Sequence, residues 1–282
     1  MLNVRSIEPV DYLVIGHLTN DITPQGPVLG GTAAYASLTA QALGLRVGVV
    51  TAWGNEFPLT QLQGVQVAAL PVEHSTTFEN VYTPAGRVQT IYHHAAELSP
   101  GLVPDTWLSA PIVHLGPVDQ EIDPLLIRAF PSALLGMTPQ GWLRDWDNQG
   151  HVHACEWPEA RFVLEKASAA VISIEDVVGD ESRIEEIASA VRILVVTEGA
   201  AGCRLYWNGD LRHFRAPEVK EIDPIGAGDI FAACFFSRLY TTRDPWEAAR
   251  FATHLASMSV TRPYLQGIPT PEEVQASLIQ VL

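Results

Sequence analysis

The residues best suited to chemistry lie in one glycine-rich segment, Asp223-Pro224-Ile225-Gly226-Ala227-Gly228-Asp229, which leads into an apolar stretch. Glycines permit a tight turn whose backbone N–H groups face an anion, and the positive end of a helix dipole attracts phosphate. A carboxylate in the same first turn, Asp229, could accept a hydroxyl proton as a general base. The spacing alone is equally compatible with an ordinary helix start in which Asp229 is a favourable first-turn charge.

A second glycine pair, Gly30-Gly31, comes before a small-residue stretch that predicts a helix over 32–43. Two glycines let a ligand approach the backbone closely, although such a pair by itself favours an ordinary turn into a packed helix. Asp21 lies between the first predicted strand and this pair. A carboxylate that accepts hydrogen bonds from two hydroxyls would favour a polyol.

Three further segments carry polar groups at the ends of predicted strands or on a late helix. Thr197-Glu198-Gly199-Ala200-Ala201-Gly202 ends one strand, and Ser173-Ile174-Glu175-Asp176 ends another. A helix predicted over 246–260 carries Thr253. His17 and His114 also end predicted strands, where a buried, hydrogen-bonded histidine is favoured over a ligand contact. Ligands of open α/β sheets bind at such strand ends.

Strand and helix patterns alternate along most of the chain. A short apolar strand at 12–15, the helix at 32–43 and a β-branched strand at 46–51 give a βαβ opening, and the alternation resumes from residue 111 to residue 197. Asn208-Gly209 predicts a type I′ hairpin between strands at 203–207 and 211–214, and two helices follow from about residue 227. We predict a single α/β domain over 1–282, a three-layer α/β/α fold.

Residues 72–95 break this alternation. They show β-formers around a turn at 84–86 with no helical period, which predicts an antiparallel lid inserted at about 70–96. Glu79, Asn80 and Arg87 are its candidates for contacts with ligand hydroxyls. A β-rich, apolar lid also makes a homodimer through the lid plausible.

Composition restricts the partners. The chain has 282 residues, 47% of them hydrophobic and 17% charged, which is sufficient for a large core. A net charge of −15 without a basic patch disfavours nucleic acid and anionic membranes. The absence of a signal or a long apolar run predicts a soluble, cytoplasmic protein. The three cysteines lack paired spacing and are predicted to be buried, inert thiols.

The motifs resemble those of the ribokinase (PfkB) family, whose D-T-x-G-A-G-D signature is matched by Asp223 to Asp229 with Pro224 in place of Thr. The resemblance implies a ribokinase-like fold, ATP with Mg²⁺, and transfer of a phosphoryl group to a hydroxyl, with Asp229 as base and Gly226, Ala227 and Gly228 forming the anion hole. A monovalent cation is a further cofactor that the resemblance suggests. It also assigns residues to three subsites: Asp21, Gly30, Gly31 and Tyr35 to the acceptor; Thr197, Gly199, Gly202, Asp223 and Thr253 to the nucleotide; and Asp176, with Glu175 as rival, to the metal.

Departures from the family pattern bear on the substrate. Tyr35 replaces the usual Asn of the sugar-site helix, and Ser173 replaces the Asn of the metal motif. The segment Gly54-Asn55-Glu56 stands in place of G-x-D, and its Asn55 is a candidate substrate contact. Ser173, Tyr35 and the segment 137–144, which ends in the candidate contact Arg144, resemble plant myo-inositol kinases. A sugar or cyclitol, best guessed as myo-inositol-like, is therefore the expected acceptor. A nucleoside kinase and a regulatory sugar-binding protein with impaired metal binding are the alternatives, whereas a dinucleotide enzyme is disfavoured because no G-x-G-x-x-G follows the first strand.

Overall fold

The computed structural model describes residues 7–83 and 86–279, although the side chains of residues 82, 83, 86, 87 and 279 lie outside the description. Its strands are β1 Tyr12–Ile15, β2 Thr19–Thr23, β3 Gly26–Gly30, β4 Val47–Trp53, β5 Gln66–Pro71, β6 Thr77–Thr83, β7 Gly86–His93, β8 Ile112–Leu115, β9 Leu134–Met137, β10 Arg144–Trp146, β11 Val152–Ala154, β12 Ala169–Ser173, β13 Ile193–Thr197, β14 Cys203–Trp207 and β15 Asp210–Phe214. Its α-helices are α1 Thr32–Ala42, α2 Ala160–Leu164, α3 Glu181–Ala190, α4 Ala227–Thr242, α5 Pro245–Ser259 and α6 Pro271–Ile279.

Nine strands form the central sheet in the order β15-β14-β13-β12-β9-β8-β1-β4-β5. The seven strands from β13 to β5 pair in parallel, and the β14–β15 hairpin adds an antiparallel edge. Asn208 and Gly209, with φ of 53° and 80°, form the predicted hairpin turn. Parallel pairing brings the carboxyl ends of these strands to one edge of the sheet, where ligand sites of such sheets form.

Both faces of the sheet are covered, which makes the molecule three layers deep. On β1, Tyr12 and Val14 pack into a core with α1, α4 and α5, whereas Leu13 and Ile15 pack into a second core with residues of α2 and α3. This alternation reflects the two-residue period of a strand. The predicted α/β/α arrangement is confirmed.

A separate four-stranded sheet in the order β3-β2-β6-β7 forms the lid. The antiparallel ladder β6–β7 lies where the sequence predicts paired strands, but the residues of its turn at 84–85 lie outside the described residues. The strands β2 and β3, which the sequence pattern did not predict, supply the other half of the lid. Most of their residues are partly buried or exposed.

Other differences concern short elements. Within the alternation predicted from residue 111 to residue 197, the segment Pro124–Ala129 forms a 3-10 helix rather than an α-helix. A third helix, α6, follows the two predicted after residue 227. Cys203 and Cys234 are buried as predicted, whereas Cys155 is half-buried, and burial raises the pKa of each thiol. Among the described helices, none combines the length and the apolar character needed to cross a bilayer.

Candidate active site

A cavity of about 830 Å³ opens between the lid and the carboxyl edge of the central sheet. The lid, the first turns of α1 and α4, the ends of β12 and β13, and one side of α5 surround it. Fifteen of the residues proposed from the sequence line this cavity: Asp21, Gly31, Tyr35, Asn80, Arg144, Glu175, Asp176, Thr197, Gly199, Gly202, Gly226, Ala227, Gly228, Asp229 and Thr253. Residues that are distant along the chain therefore share one site.

Asp229 lies in the first turn of α4, where the part of the cavity under the lid meets the part lined by β12, β13 and α5. Its Oδ1 accepts a hydrogen bond of 2.7 Å from the hydroxyl of Thr32, the first residue of α1. Two helix amino termini thus converge on one carboxyl group. Because helix amino termini carry partial positive charge, both favour an anion at this point.

The charge state of Asp229 depends on competing influences. Burial raises its pKa to about 6, while the hydrogen bond from Thr32 and the charge of Arg144 lower the pKa and the charge of Asp176 raises it. At pH 7 the carboxyl group is therefore mostly ionised and yet poised to take up a proton. A general base works best with a pKa near the working pH.

Asp21 faces the cavity from the lid strand β2. Its Oδ1 accepts a 2.7 Å hydrogen bond from the Thr19 hydroxyl. Burial raises the pKa of Asp21 to about 6, the Thr19 bond lowers it, and the charge of Asp229 raises it. Gly30 on the neighbouring strand makes room for this carboxyl group, since a Cβ there would overlap Asp21 Oδ2. Gly30 therefore does not line the cavity itself, but makes room for the Asp21 side chain, which does.

Gly226 brings the α4 loop against α1. It has a φ of 77°, in the left-handed region, and a Cβ on it would overlap the ring of Tyr35. Tyr35 is only 2% exposed. Burial first, and the charges of Asp21, Asp223 and Asp229 in addition, raise its pKa, so the phenol remains protonated and can donate a hydrogen bond.

The candidate metal residues lie in a short 3-10 turn after β12. Asp176 Oδ2 accepts from the backbone N–H of Ser173 at 2.8 Å, and its Oδ1 accepts from Gln140 Nε2 at 3.2 Å. The Ser173 hydroxyl accepts from the Glu175 N–H at 3.2 Å, which completes a capping box. Ser173 thus has a local structural role in place of the Asn of the family motif. Among the described residues, no cluster of three metal-binding side chains occurs.

Comparison with known proteins finds similarity to carbohydrate and nucleoside kinases. Residues 157–272, which include the glycine-rich loop and Asp229, match the family described as pfkB family carbohydrate kinase. This match covers 116 of the 282 residues. Inositol 3-kinase of Oryza sativa subsp. japonica is 26% identical across 97% of the chain and 74% of its own length. Cytidine kinase of Thermococcus kodakarensis is 27% identical across 88% of the chain and 95% of its own length.

Solved structures of ribokinase-family members confirm the ribokinase-like fold. A pyrophosphate-dependent kinase complexed with a pyrophosphate analog and myo-inositol has a TM-score of 0.77, with 20% identity, and covers 94% of this chain and 99% of its own. Ribokinase from Thermotoga maritima has a TM-score of 0.71, with 22% identity, and covers 95% and 99%. The ribokinase-like fold is thus present, and the proteins that the chain resembles are kinases of sugars, cyclitols and nucleosides.

Besides Gly30, three residues proposed from the sequence lie away from the cavity. Asn55 is exposed in a left-handed turn with a φ of 62°. Glu79 accepts a 2.7 Å hydrogen bond from the Tyr92 hydroxyl, and it points away from the cavity because Phe78 and Asn80, its neighbours on β6, line it. Asp223 accepts from the N–H groups of Ile225 and Tyr264, so it holds the loop in place. The Arg87 side chain lies outside the described residues.

The sequence pattern did not identify several lining residues, among them Phe78, Gln89, Thr138 and Gln140. Gln89 Nε2 donates to Asn80 Oδ1 at 3.0 Å, so these amides form a pair across β6 and β7. Phe78 and Asn80 are two residues apart on a strand and therefore share a face. The sequence could have placed that face against a ligand only if the position of the lid were known. The position of Gln140 in a 3-10 turn after β9 follows from no local pattern.

The nucleotide candidates lie at the other end of the cavity. Thr253 on α5 is buried and donates its hydroxyl proton to the Ala249 carbonyl at 2.7 Å, within its own helix. Gly199 and Gly202 flank a short 3-10 turn after β13, and Thr197 ends that strand. His17 and His114 are fully buried and hydrogen-bonded, as predicted, and neither lines the cavity.

Proposed function

We propose that this protein transfers a phosphoryl group from ATP to a hydroxyl of a small sugar or cyclitol, with Asp229 as the general base. The observation that supports this most directly is the position of Asp229, between the lid residues Asp21 and Asn80, which we assign to the acceptor end, and the α5 residues Thr253 and Ala256, which we assign to the donor end. An acceptor hydroxyl bound under the lid loses its proton to Asp229 as its oxygen attacks phosphorus. The N–H groups at the amino terminus of α4 stabilise the negative charge that moves with the phosphoryl group.

The lining of the donor end supports a nucleotide rather than free pyrophosphate. Apolar side chains there give a surface suited to a purine base; they are Ala216, Pro217, Val219, Ile225, Ala256 and Val260. Among the described residues that line the whole cavity, Arg144 is the only Lys or Arg, and it belongs to the acceptor end with Thr138 and Gln140. A small, highly charged donor without a base would need several cations at the donor end.

Magnesium fits the residues after β12. Mg²⁺ is usually bound by one or two carboxylates, with waters and substrate phosphates completing its shell, so a cluster of three protein ligands is unnecessary. Asp176, fixed by Ser173 and Gln140, and Glu175 are the carboxylates that would hold it. When bound, the ion supplies charge neutralisation of the phosphates, which the many acidic residues of this cavity cannot provide.

The acceptor end is suited to a neutral compound that is rich in hydroxyls. Asp21 offers an acceptor, Tyr35 offers a donor, and the Asn80–Gln89 pair offers both. Together with the similarity to an inositol 3-kinase, these groups favour a myo-inositol-like cyclitol. A nucleoside is the second candidate, because the chain is also similar to a cytidine kinase and Phe78 could stack on a base.

A second copy of this chain is the proposed partner of the lid. Four large apolar side chains are exposed on the lid strands, namely Ile22, Val81, Val88 and Tyr92. A lid-to-lid dimer would bury this patch and would pair the edge strands of the two lids. Light scattering of Val81→Lys with Val88→Lys against the native protein tests it, with a monomeric double variant expected.

Phosphate transfer should be measured with Mg²⁺ and either ATP or pyrophosphate, with and without K⁺, against myo-inositol, other cyclitols, ribose, fructose and cytidine. We expect product with ATP and a cyclitol only. Turnover of cytidine alone would favour the nucleoside kinase, and turnover with pyrophosphate would reject the donor assignment. Acceptor binding by calorimetry without turnover would favour a regulatory protein.

A further inference from the structure

A buried polar network lies outside the cavity, where the chain passes between the core and the lid. The chain passes between core and lid four times, and three of these passages meet here: the entry after β1 at residues 16–18, the entry before β6 at Ser75 and Thr76, and the exit after β7 at residues 94–96. The fourth runs from β3 into α1 at Gly30-Gly31. The acidic residues Asp119 and Glu121, in the loop after β8, contact all three passages. Both are buried, with 6% and 4% of their surface exposed.

Glu121 fixes the loop and the first passage. Its carboxyl oxygens accept from the backbone N–H groups of His17, at 2.9 Å, and of Val118 and Asp119, at 2.8 to 3.1 Å. Val118 lines the cavity, so the loop that Glu121 organises is part of the acceptor end. The lid and the cavity wall are therefore held by the same side chain.

Asp119 connects the other two passages. Its Oδ1 accepts from His94 Nδ1 at 2.7 Å, and its Oδ2 lies 3.2 Å from the hydroxyl oxygen of Thr76. The Thr76 hydroxyl also lies 2.7 Å from His17 Nδ1 and accepts from the Ala95 N–H at 3.0 Å. One hydroxyl thus joins all three passages.

The number of protons available limits how this network can be bonded. His17 Nε2 lies 3.0 Å from the Ala96 carbonyl oxygen, which can only accept, so Nε2 carries a proton and Nδ1 of a neutral ring is an acceptor. The single proton of the Thr76 hydroxyl then goes to His17. The contact between Thr76 and Asp119 therefore needs a proton on Asp119 Oδ2. Moving that proton to His17 Nδ1 reverses both Thr76 bonds and leaves the proton count unchanged.

From this geometry we propose that Asp119 is a positioning residue whose retained proton fastens the lid to the core and so sets the place of Asp21 and Asn80 against the acceptor. Burial first, and the charge of Glu121 second, raise the pKa of Asp119 to about 8. The proton is held at neutral pH and lost above about pH 8. An ionised Asp119 would face the hydroxyl oxygen of Thr76, whose only proton is already donated to His17.

The groups that face Asp119, among them His94 and Glu121, do not compensate for the loss of this proton. His94 stacks on Trp146 of β10 at 4.4 Å, and burial, with the charges of His17 and His93, lowers its pKa, so it is neutral when Asp119 loses its proton. Glu121 adds negative charge. Deprotonation therefore weakens the attachment of the lid rather than forming a new ion pair.

Asp119→Asn tests the proposal because the amide donates to Thr76 and accepts from His94 at every pH. Asp119→Ala removes both contacts, and Asp180→Asn, at the amino terminus of α3, is the matched control. Hydrogen exchange of the amides in β6 and β7 should be compared between the variants and the native protein at pH 6.5 and pH 9. We expect Asp119→Asn to resemble native protein at pH 6.5 and to be more protected at pH 9, and Asp119→Ala to be less protected at pH 6.5.

The kinetic readout rests on the proposed kinase function. We expect KM for the cyclitol to rise by about three- to tenfold in native protein between pH 6.5 and pH 9, the effect of one net hydrogen bond, and to stay constant in Asp119→Asn, with KM for ATP unchanged in both. Identical pH dependence of lid exchange in native protein and Asp119→Asn would overturn the proposal. Because hydrogen exchange needs no turnover, it measures the attachment of the lid even if the kinase assignment fails.

Discussion

The hydroxyl of Thr32 donates a 2.7 Å hydrogen bond to Asp229 Oδ1, and this bond connects the first residue of α1 with the first turn of α4. The two residues are 197 positions apart in the chain. The bond holds the carboxyl group at the boundary between the acceptor and donor ends of the cavity. It also lowers the pKa of the carboxyl group against the effect of burial.

Replacing Asp229 by Asn should lower kcat by about 10²- to 10⁴-fold, the contribution typical of a positioned general base. The amide can still accept from Thr32, so circular dichroism and the melting temperature should stay close to those of the native protein. Asp210→Asn, at the exposed first residue of β15, is the control and should retain full activity. An Asp229→Asn variant with native kcat would remove Asp229 from the chemistry.

Replacing Thr32 by Val should move the acidic limb of the pH profile. A base must be unprotonated to act, so kcat/KM should fall below the pKa of Asp229, which is about 6. Val keeps the shape of Thr but removes the donor that lowers this pKa, and the limb should therefore shift to higher pH. A profile of kcat/KM from about pH 5 to pH 8 measures the shift, and an unchanged limb would show that another group titrates.

Replacing Arg144 by Met should act in the same direction on the pH profile, because the charge of Arg144 also lowers the pKa of Asp229. Arg144 is buried and lines the acceptor end, so KM for the acceptor should rise as well while KM for ATP changes little. Arg144→Lys keeps the charge and should restore the acidic limb of the pH profile. KM for the acceptor should stay raised, because the planar guanidinium is lost. A rise in KM for ATP alone would place Arg144 at the donor end.

Gly226 and Gly228 should respond differently to Ala. At Gly226 a Cβ meets the Tyr35 ring and the φ of 77° is left-handed, so Gly226→Ala should lower the free energy of unfolding by about 2 kcal/mol or more. At Gly228 nothing lies within 4 Å of a Cβ, and the free energy of unfolding should be unchanged or raised by up to about 1 kcal/mol. Urea unfolding measures both. Equal losses would contradict the packing of the loop against α1.

Much of the central sheet follows from local pattern. Buried parallel strands such as β1 and β12 are continuous apolar runs, and the turn at Asn208 and Gly209 needs positive φ at both positions, which these residue types favour. The lid strands β2 and β3 were not predicted. Their apolar residues pack only in part, so their sequences carry no strong two-residue alternation that would indicate a strand.

The sequence by itself determined the α/β class, the glycine-rich loop with Asp229, and the resemblance to ribokinase-family kinases, because each depends on residues that are close together in the chain. Only the tertiary structure decided which polar residues share the cavity. Asn55 and Glu79 are directed away from it, whereas Gln89 and Gln140 enter it. The Thr32–Asp229 bond and the Asp119 network join residues that are distant in sequence. Such contacts arise only when sheet order and the twist of the chain bring separate elements together, and no local period encodes them.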